Sequence, residues 1–192
     1  PPEQSLEWSD EGVQGAFRFI RRLWKAVHDL VSLGPLPAAD FATLDAGQKA
    51  LRRLTHETLA KVTDDIGRRH TFNTAIAATM ELLNAATRAS TVQAQGRAAV
   101  REAYEVIVLT LSPIIPHVTH ALWQALGHAT ALIEEPWPKP DPAALVRDEV
   151  ELVVQVNGKL RGRITVAAGA PEDVVRAAAL ADANVGKFME GK

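Results

Sequence analysis

Four prolines stand at alternate positions, 136, 138, 140 and 142, in EEPWPKPDPAALVRDE, and the apolar residues keep a different period on each side of them. Before the run they recur at intervals of three and four, the period of an amphipathic helix; after it they recur every second residue, the period of a strand. A chain that changes period across an extended, semi-rigid segment has two differently built parts. The reading is a mainly α protein. A five-helix bundle occupies 1–128. A proline-rich strap or linker, laid across the bundle with Trp137 packed down, occupies 129–148. A small α/β domain with a β-hairpin and one or two helices occupies 149–192.

In the first helix Ser9 or Asp10 is the cap, and Gly34 with Pro35 is the stop. Val13, Ala16, Phe17, Ile20, Trp24, Val27 and Val31 form its expected buried face. Arg18, Arg21, Arg22 and Lys25 fall at i, i+3, i+4 and i+7, so four cations share one face. A second helix, from about Leu44 to Ile66, turns Leu51, Leu54, Leu59, Val62 and Ile66 inward and closes at Gly67, with Arg68, Arg69 and His70 in the turn. A third runs from about Asn73 to Arg88 with Phe72, Ile76, Met80 and Leu83 inward, and its alanine-rich surface allows close packing. The fourth, from about Val92 to Leu111, becomes apolar all round at VIVLTL, as a central helix must be. In LTLSPIIPHVTHALW, Pro113 and Pro116 break that helix and start a fifth, ending before Gly127, with Val118, Leu122 and Leu126 facing the bundle.

Beyond the prolines, Val150, Leu152 and Val154 and then Leu160, Gly162, Ile164 and Val166 alternate with polar residues around Asn157-Gly158. A regular hairpin on a two-residue Asn-Gly turn pairs Val154 with Arg161 and Leu152 with Arg163, which mixes apolar and cationic side chains on one face. The expectation is therefore a three-residue loop, Val156 to Gly158, with Gly158 left-handed. That register pairs Val154 with Leu160 and Val150 with Ile164, and sets Glu151 opposite Arg163 and Gln155 opposite Lys159. Pro171 then starts a helix to about Ala181 with Val174, Val175 and Ala178 inward, and ANVGKF begins another short turn.

With no cysteine in the chain, disulfides, thiolate zinc sites and cysteine nucleophiles are excluded. His117 and His120 supply two ligands where zinc takes three or four, so they read as capping or packing groups at a helix start. Neither a glycine-rich phosphate loop nor a nucleophile with its base occurs at motif spacing. The opening residues form no signal peptide, and no apolar run approaches the roughly 20 residues that span a bilayer, so a cytoplasmic protein with no membrane partner is expected. A first residue Pro1, without Met, reads as a piece of something longer.

The net charge is −2, so any polyanion site must be local. The candidates are the stripe on the first helix, the pair Arg52 and Arg53, the turn Arg68-Arg69-His70, and Lys159, Arg161 and Arg163 on the hairpin. Each alone reads as a solvated face; together they suit phosphate contacts. Phe17, Trp24 and Phe72 fall on apolar faces, which leaves few aromatics for base stacking and favours structured RNA over single strands.

LSPIIPHVTHALW resembles the proline-histidine helix start, ending in Leu-Trp, of the helical anticodon-binding domain in class I aminoacyl-tRNA synthetases of the leucine, isoleucine and valine group. PPEQSLEWSDEGVQGAFRFIRRLW, RRHTFNTAIAATMELLN, EPWP and VELVVQVNGKLRGRITV together look like the bacterial-type leucyl enzymes; the helical phrases alone leave the equivalent domain of an isoleucyl or valyl enzyme open, and VQVNGKLRG is the more specific pointer to the leucyl one. The resemblance covers essentially the whole chain. It implies a C-terminal fragment whose small domain is incomplete, since relatives continue past Glu190-Gly191-Lys192 into a further strand pair. It also implies a parent enzyme that joins leucine to its tRNA with ATP and Mg through an aminoacyl-adenylate. The His-Ile-Gly-His and Lys-Met-Ser-Lys-Ser motifs of that chemistry are absent from this sequence, which implies a chain with no catalytic residues and no cofactor of its own.

The implied partners are tRNA(Leu) and the catalytic lobe of the same polypeptide. Because leucine has six codons, contact with the tRNA backbone is expected in place of anticodon reading. Arg18, Arg21, Arg22, Lys25, Arg68 and Arg69 on the bundle and Lys159, Arg161 and Arg163 on the hairpin are the RNA-binding candidates. The competing expectation is a scaffold that braces the catalytic lobe, with the basic stripe against an acidic surface of that lobe.

Overall fold

In the computed structural model, which describes residues 7–35, 38–146 and 149–189, Ser9 stands in extended backbone and its side chain accepts the Gly12 N–H, starting helix α1 (Asp10–Val31). Expectations that rest on residues 1–6, 36–37, 147–148 or 190–192 lie outside the described residues. The buried face of α1 differs from the expected one. Phe19, Leu23, Ala26, Val27 and Leu30 face the core, whereas Val13, Phe17 and Trp24 are 48%, 59% and 42% exposed. At about 100° per residue the apolar side chains cover roughly half the helix circumference, more than the stripe a core-facing helix needs. The bundle covers only one edge of that arc.

Helix α2 (Ala46–Asp64) begins with a reciprocal capping box in which Asp45 accepts the Gln48 N–H and the Gln48 side chain accepts the Asp45 N–H. It buries Leu51, Leu59 and Val62, with Leu54 and Ile66 half-buried beside them. It does not close at Gly67: a π-helical turn, Asp65–Arg69, carries the chain on to His70 in the left-handed region. In α3 (Phe72–Arg88) the inward residues are Ala75, Ala78, Thr79, Leu82, Leu83 and Ala86. Of the expected set only Leu83 is fully buried; Ile76 and Met80 are half-buried and Phe72 is 42% exposed. Small alanines win these positions because α2 and α4 pack on α3 from two sides.

Helix α4 (Ala94–Leu111) is buried almost all round from Ala98 to Leu111, as expected of the central element. Gly96 is required at its start, since a Cβ there would lie 2.3 Å from the Ser90 carbonyl oxygen. Four threonines that are at most 2% exposed, Thr55, Thr79, Thr110 and Thr119, return their hydroxyls to the carbonyl four residues back and so leave no donor unpaired. Pro116 occupies the first turn of α5 (Pro116–Ala125), which turns Leu122 inward, and Leu126 follows at its cap. Gly127, at φ 97°, ends it.

The chain divides into two compact units, 1–145 and 146–192. The proline-rich segment belongs to the first unit as far as Leu145. Leu132 and Ala144 are buried, and Trp137 donates its indole N–H to Thr63 Oγ1 at 2.8 Å.

In the second unit, β1 (Glu149–Val156) and β2 (Lys159–Ala167) form an antiparallel pair. The turn is the two-residue Asn157-Gly158, with φ of 53° and 74°, and not the expected three-residue loop. A bulge was still needed, and it falls at Arg161: Gln155 pairs with Leu160, Val154 with Gly162, Leu152 with Ile164 and Val150 with Val166. The extra residue restores a continuous apolar face. Helices α6 (Glu172–Ala181) and α7 (Ala183–Met189) pack on β2. Val175 and Ala178 of α6 are half-buried, but Val174 is 48% exposed, and Val185 of α7 is the buried anchor. A Cβ at Gly162 would come within 2.8 Å of Val185 and 2.9 Å of Asp182, so the glycine lets α7 lie on the strand.

Candidate nucleic-acid interface

On α1, Arg18, Arg21, Arg22 and Lys25 are all exposed and occupy the flank beside the uncovered apolar arc. Arg22 reaches across to the Asn84 side chain of α3. Lys25 pairs with Asp29 at 2.6 Å, in a geometry so open to solvent that the pair holds the ammonium weakly. The Arg21 guanidinium lies 5.8 Å from the Phe17 ring centroid, and the Trp24 and His28 rings are 4.8 Å apart. The aromatics assigned to the core by their spacing are therefore interleaved with the cations on the surface.

The second cluster is the α2–α3 corner. Asp65 is fully buried and accepts hydrogen bonds from Lys61, from Arg69 Nη1 at 3.1 Å, from Thr71 Oγ1 at 3.2 Å and from Thr74 Oγ1 at 2.7 Å. Burial pushes its pKa up, but the bonds from Lys61 and Thr74 outweigh that, and the net shift is downward from 3.8. Arg68 grips Asp64 with Nε and Nη2. That hydrogen-bonded contact holds the Asp64 carboxyl below, and the guanidinium above, their ordinary values. Asp64 and Asp65 thus aim and partly neutralise Arg68 and Arg69, and the i,i+4 spacing of each pair is the signal in the sequence that could have found them. Arg22 meets α3 at Asn84 and Arg69 lies just ahead of Phe72, so about 18 Å of helix separates the two clusters.

Asp65→Ala is expected to destabilise the protein by about 2–3 kcal/mol at neutral pH, the loss of several hydrogen bonds to one buried charge. Because the folded-state pKa is depressed, this contribution is complete above the unfolded value of about 3.9 and is lost as pH falls through the folded one. Urea unfolding at pH 7 and pH 3 should show the gap between wild type and variant narrowing in acid.

Arg52, proposed above with Arg53 as a phosphate contact, is only 7% exposed and serves another purpose. It bonds Glu102 at 3.1 Å and Asp141 at 2.6 Å and lies 3.7 Å over the Phe41 ring. On the hairpin, Lys159 is exposed, Arg161 stands in the bulge 3.7 Å over the Phe188 ring, and Arg163 pairs with Glu151 at 2.9 Å. That pair runs diagonally, because Val153 and not Glu151 is opposite Arg163. His117 is exposed, and His120 Nδ1 accepts the Leu132 N–H at 3.3 Å. Among the described residues no three His, Cys, Asp or Glu side chains gather as a metal ion requires, and no helix is long and apolar enough to cross a membrane.

Residues 48–176 match the family described as the anticodon-binding domain of tRNA ligase, and the chain belongs to that family. Over its full length it is 60% identical to the leucine--tRNA ligase of Thioalkalivibrio sulfidiphilus and 60% identical to that of Stenotrophomonas maltophilia strain R551-3, spanning 24% and 22% of those proteins. The chain thus covers about a quarter of the length of the relatives it matches. The LeuRS of the ternary LeuRS-tRNA-LeuAMS complex from Agrobacterium radiobacter K84 has the same fold, with a TM-score of 0.84 over 96% of this chain and 24% of that one, at 24% identity.

Proposed function

We propose that this chain is the non-catalytic, tRNA-binding portion of a leucine--tRNA ligase, positioning tRNA(Leu) for ATP-dependent leucylation in a part of the parent protein outside it. The observation that carries the reading is the placement of Arg18, Arg21, Arg22 and Lys25, all solvent-facing on one helix of a protein with net charge −2. Local positive charge on a near-neutral protein attracts a polyanion without binding it everywhere. In this reading ATP and Mg stay with the catalytic part, and the parent protein works in the cytoplasm.

The test is a titration of the chain with leucine tRNA over a range of salt, for wild type and for the variant Arg18→Gln/Arg21→Gln/Arg22→Gln. The slope of log affinity against log salt is expected to become shallower by about 2–3, one counterion-release increment per lost contact. An unchanged slope in a variant that still folds defeats the proposal.

The start of α1 and the residues just before it favour a second reading in part, because Trp8 is 82% and Phe17 59% exposed there with no cation before Arg18. A scaffold role, in which the catalytic lobe of the same polypeptide covers that region, predicts that Trp8→Ser/Phe17→Ser lowers the melting temperature of the full-length ligase without tRNA.

A further inference from the structure

The outward edge of α1 carries more than charge. Trp24 is 42% exposed although a tryptophan on a solvated helix gains nothing there, and the His28 ring backs it from the next turn. Beside it Arg18, Ile20, Arg21, Arg22 and Lys25 line an open, shallow groove of about 630 Å³ along the helix. Four of the six lining side chains are cationic and none is acidic; Asp29, the partner of Lys25, lies a turn further on. A peptide binding by apolar contact would not call for four cations, and phosphate alone would not call for an indole. A nucleotide presents both a π face and a negative charge, and the pairing of aromatic platform with basic groove is how single-stranded nucleic acid is held.

We propose that this groove seats one unpaired nucleotide of the bound RNA, the base stacked on Trp24 and the adjoining phosphates on Arg18, Arg21 and Lys25. The inference rests on the tRNA-binding reading and narrows it, since it adds a preference for unstacked bases to contacts that otherwise see only backbone. It also reverses the expectation drawn from spacing that α1 offers no aromatic to RNA.

The experiment compares hexaadenylate with a blunt RNA duplex of equal length, titrated at low salt against the wild-type chain, Trp24→Ala, Trp24→Phe and the triple arginine variant, each checked by thermal melting. Trp24→Ala is expected to weaken hexaadenylate binding about 5- to 100-fold, as loss of one stacked base does, and to leave duplex binding and both salt slopes unchanged. Trp24→Phe retains most of the single-strand affinity. Hexaadenylate is also expected to quench more indole emission in wild type than in Trp24→Phe, a readout that stands even if the alanine variant fails to fold. If Trp24→Ala binds hexaadenylate like wild type while the triple variant loses both ligands, stacking is overturned and the RNA reading survives. If no form binds either RNA, the RNA reading falls and this inference with it. Equal quenching in wild type and Trp24→Phe also overturns the stacking site.

Discussion

Replacing Arg52 with alanine is expected to lower the stability of the bundle by about 3 kcal/mol, the low end of the cost of stripping one partner from a buried ion pair. Glu102 then keeps a single strong partner, the Nε2–H of His56 at 3.0 Å. The proton is on that nitrogen because His56 Nδ1 accepts the Asp141 N–H at 3.1 Å. Asp141, whose side chain is 40% exposed, can turn to water, which is why the full penalty is not reached. The Phe41 ring loses its cation as well.

For a unit of this size the loss corresponds to a fall of about 10 °C in melting temperature, at about 2–4 °C per kcal/mol. Urea unfolding should show a lower midpoint with the same slope. The Arg52 hydrogen bond, reinforced by the Ala143 N–H, holds Asp141 below its usual pKa, so part of the difference fades as pH falls below about 4. The double variant Arg52→Met/Glu102→Gln should recover part of the loss, since it removes the uncompensated charge and keeps an acceptor for His56. A single variant as stable as wild type would mean that the strap holds to the bundle without this network.

The second large effect is on RNA. Should Arg18, Arg21, Arg22, Lys25, Arg68 and Arg69 each displace one counterion, affinity for leucine tRNA falls by about a thousandfold between 50 and 200 mM salt. Should Arg68 and Arg69 remain committed to Asp64 and Asp65, four contacts are left and the fall is about 150-fold. The structure thereby attaches a different number to each state of the α2–α3 corner. Asp64→Asn, which frees Arg68 from its bidentate partner, is expected to steepen the salt dependence in the second case and to leave it unchanged in the first. Equilibrium titrations at three or more salt concentrations give the slope directly, and an affinity that ignores salt would remove phosphate contact from the account.

Helix existence and order were legible in the residues, because capping groups and breakers act locally. Ser9, Pro116 and Gly127 do where they stand what such residues do anywhere. Facing was less legible. In α1 the apolar residues fill about half of the circumference, so period alone could not say which edge meets the core. The edge led by Leu23 and Val27 faces the core and the edge led by Phe17 and Trp24 does not.

Roles of charged residues were less legible still. Arg52 and Arg68 are both arginines on or beside the same helix. One is the hub of a network tying residues 41, 102 and 141, which lie far apart in the chain, while the other pairs with Asp64, its neighbour one turn back. The i,i+4 spacing of Asp64 and Arg68 is a local pattern present in the sequence, whereas nothing local marks the partners of Arg52.

What the residue order determined by itself was the helical bundle before the prolines, the hairpin after them and the need for a bulge to reconcile its two faces. What only the tertiary structure decided was where the bulge falls, which edge of α1 is covered, and which arginines are buried partners and which remain available to a polyanion. The physical reason is range: caps, turns, periodicity and i,i+4 ion pairs are set within one or two helical turns, whereas burial, and the partners of a buried charge such as Arg52, depend on side chains contributed by distant segments.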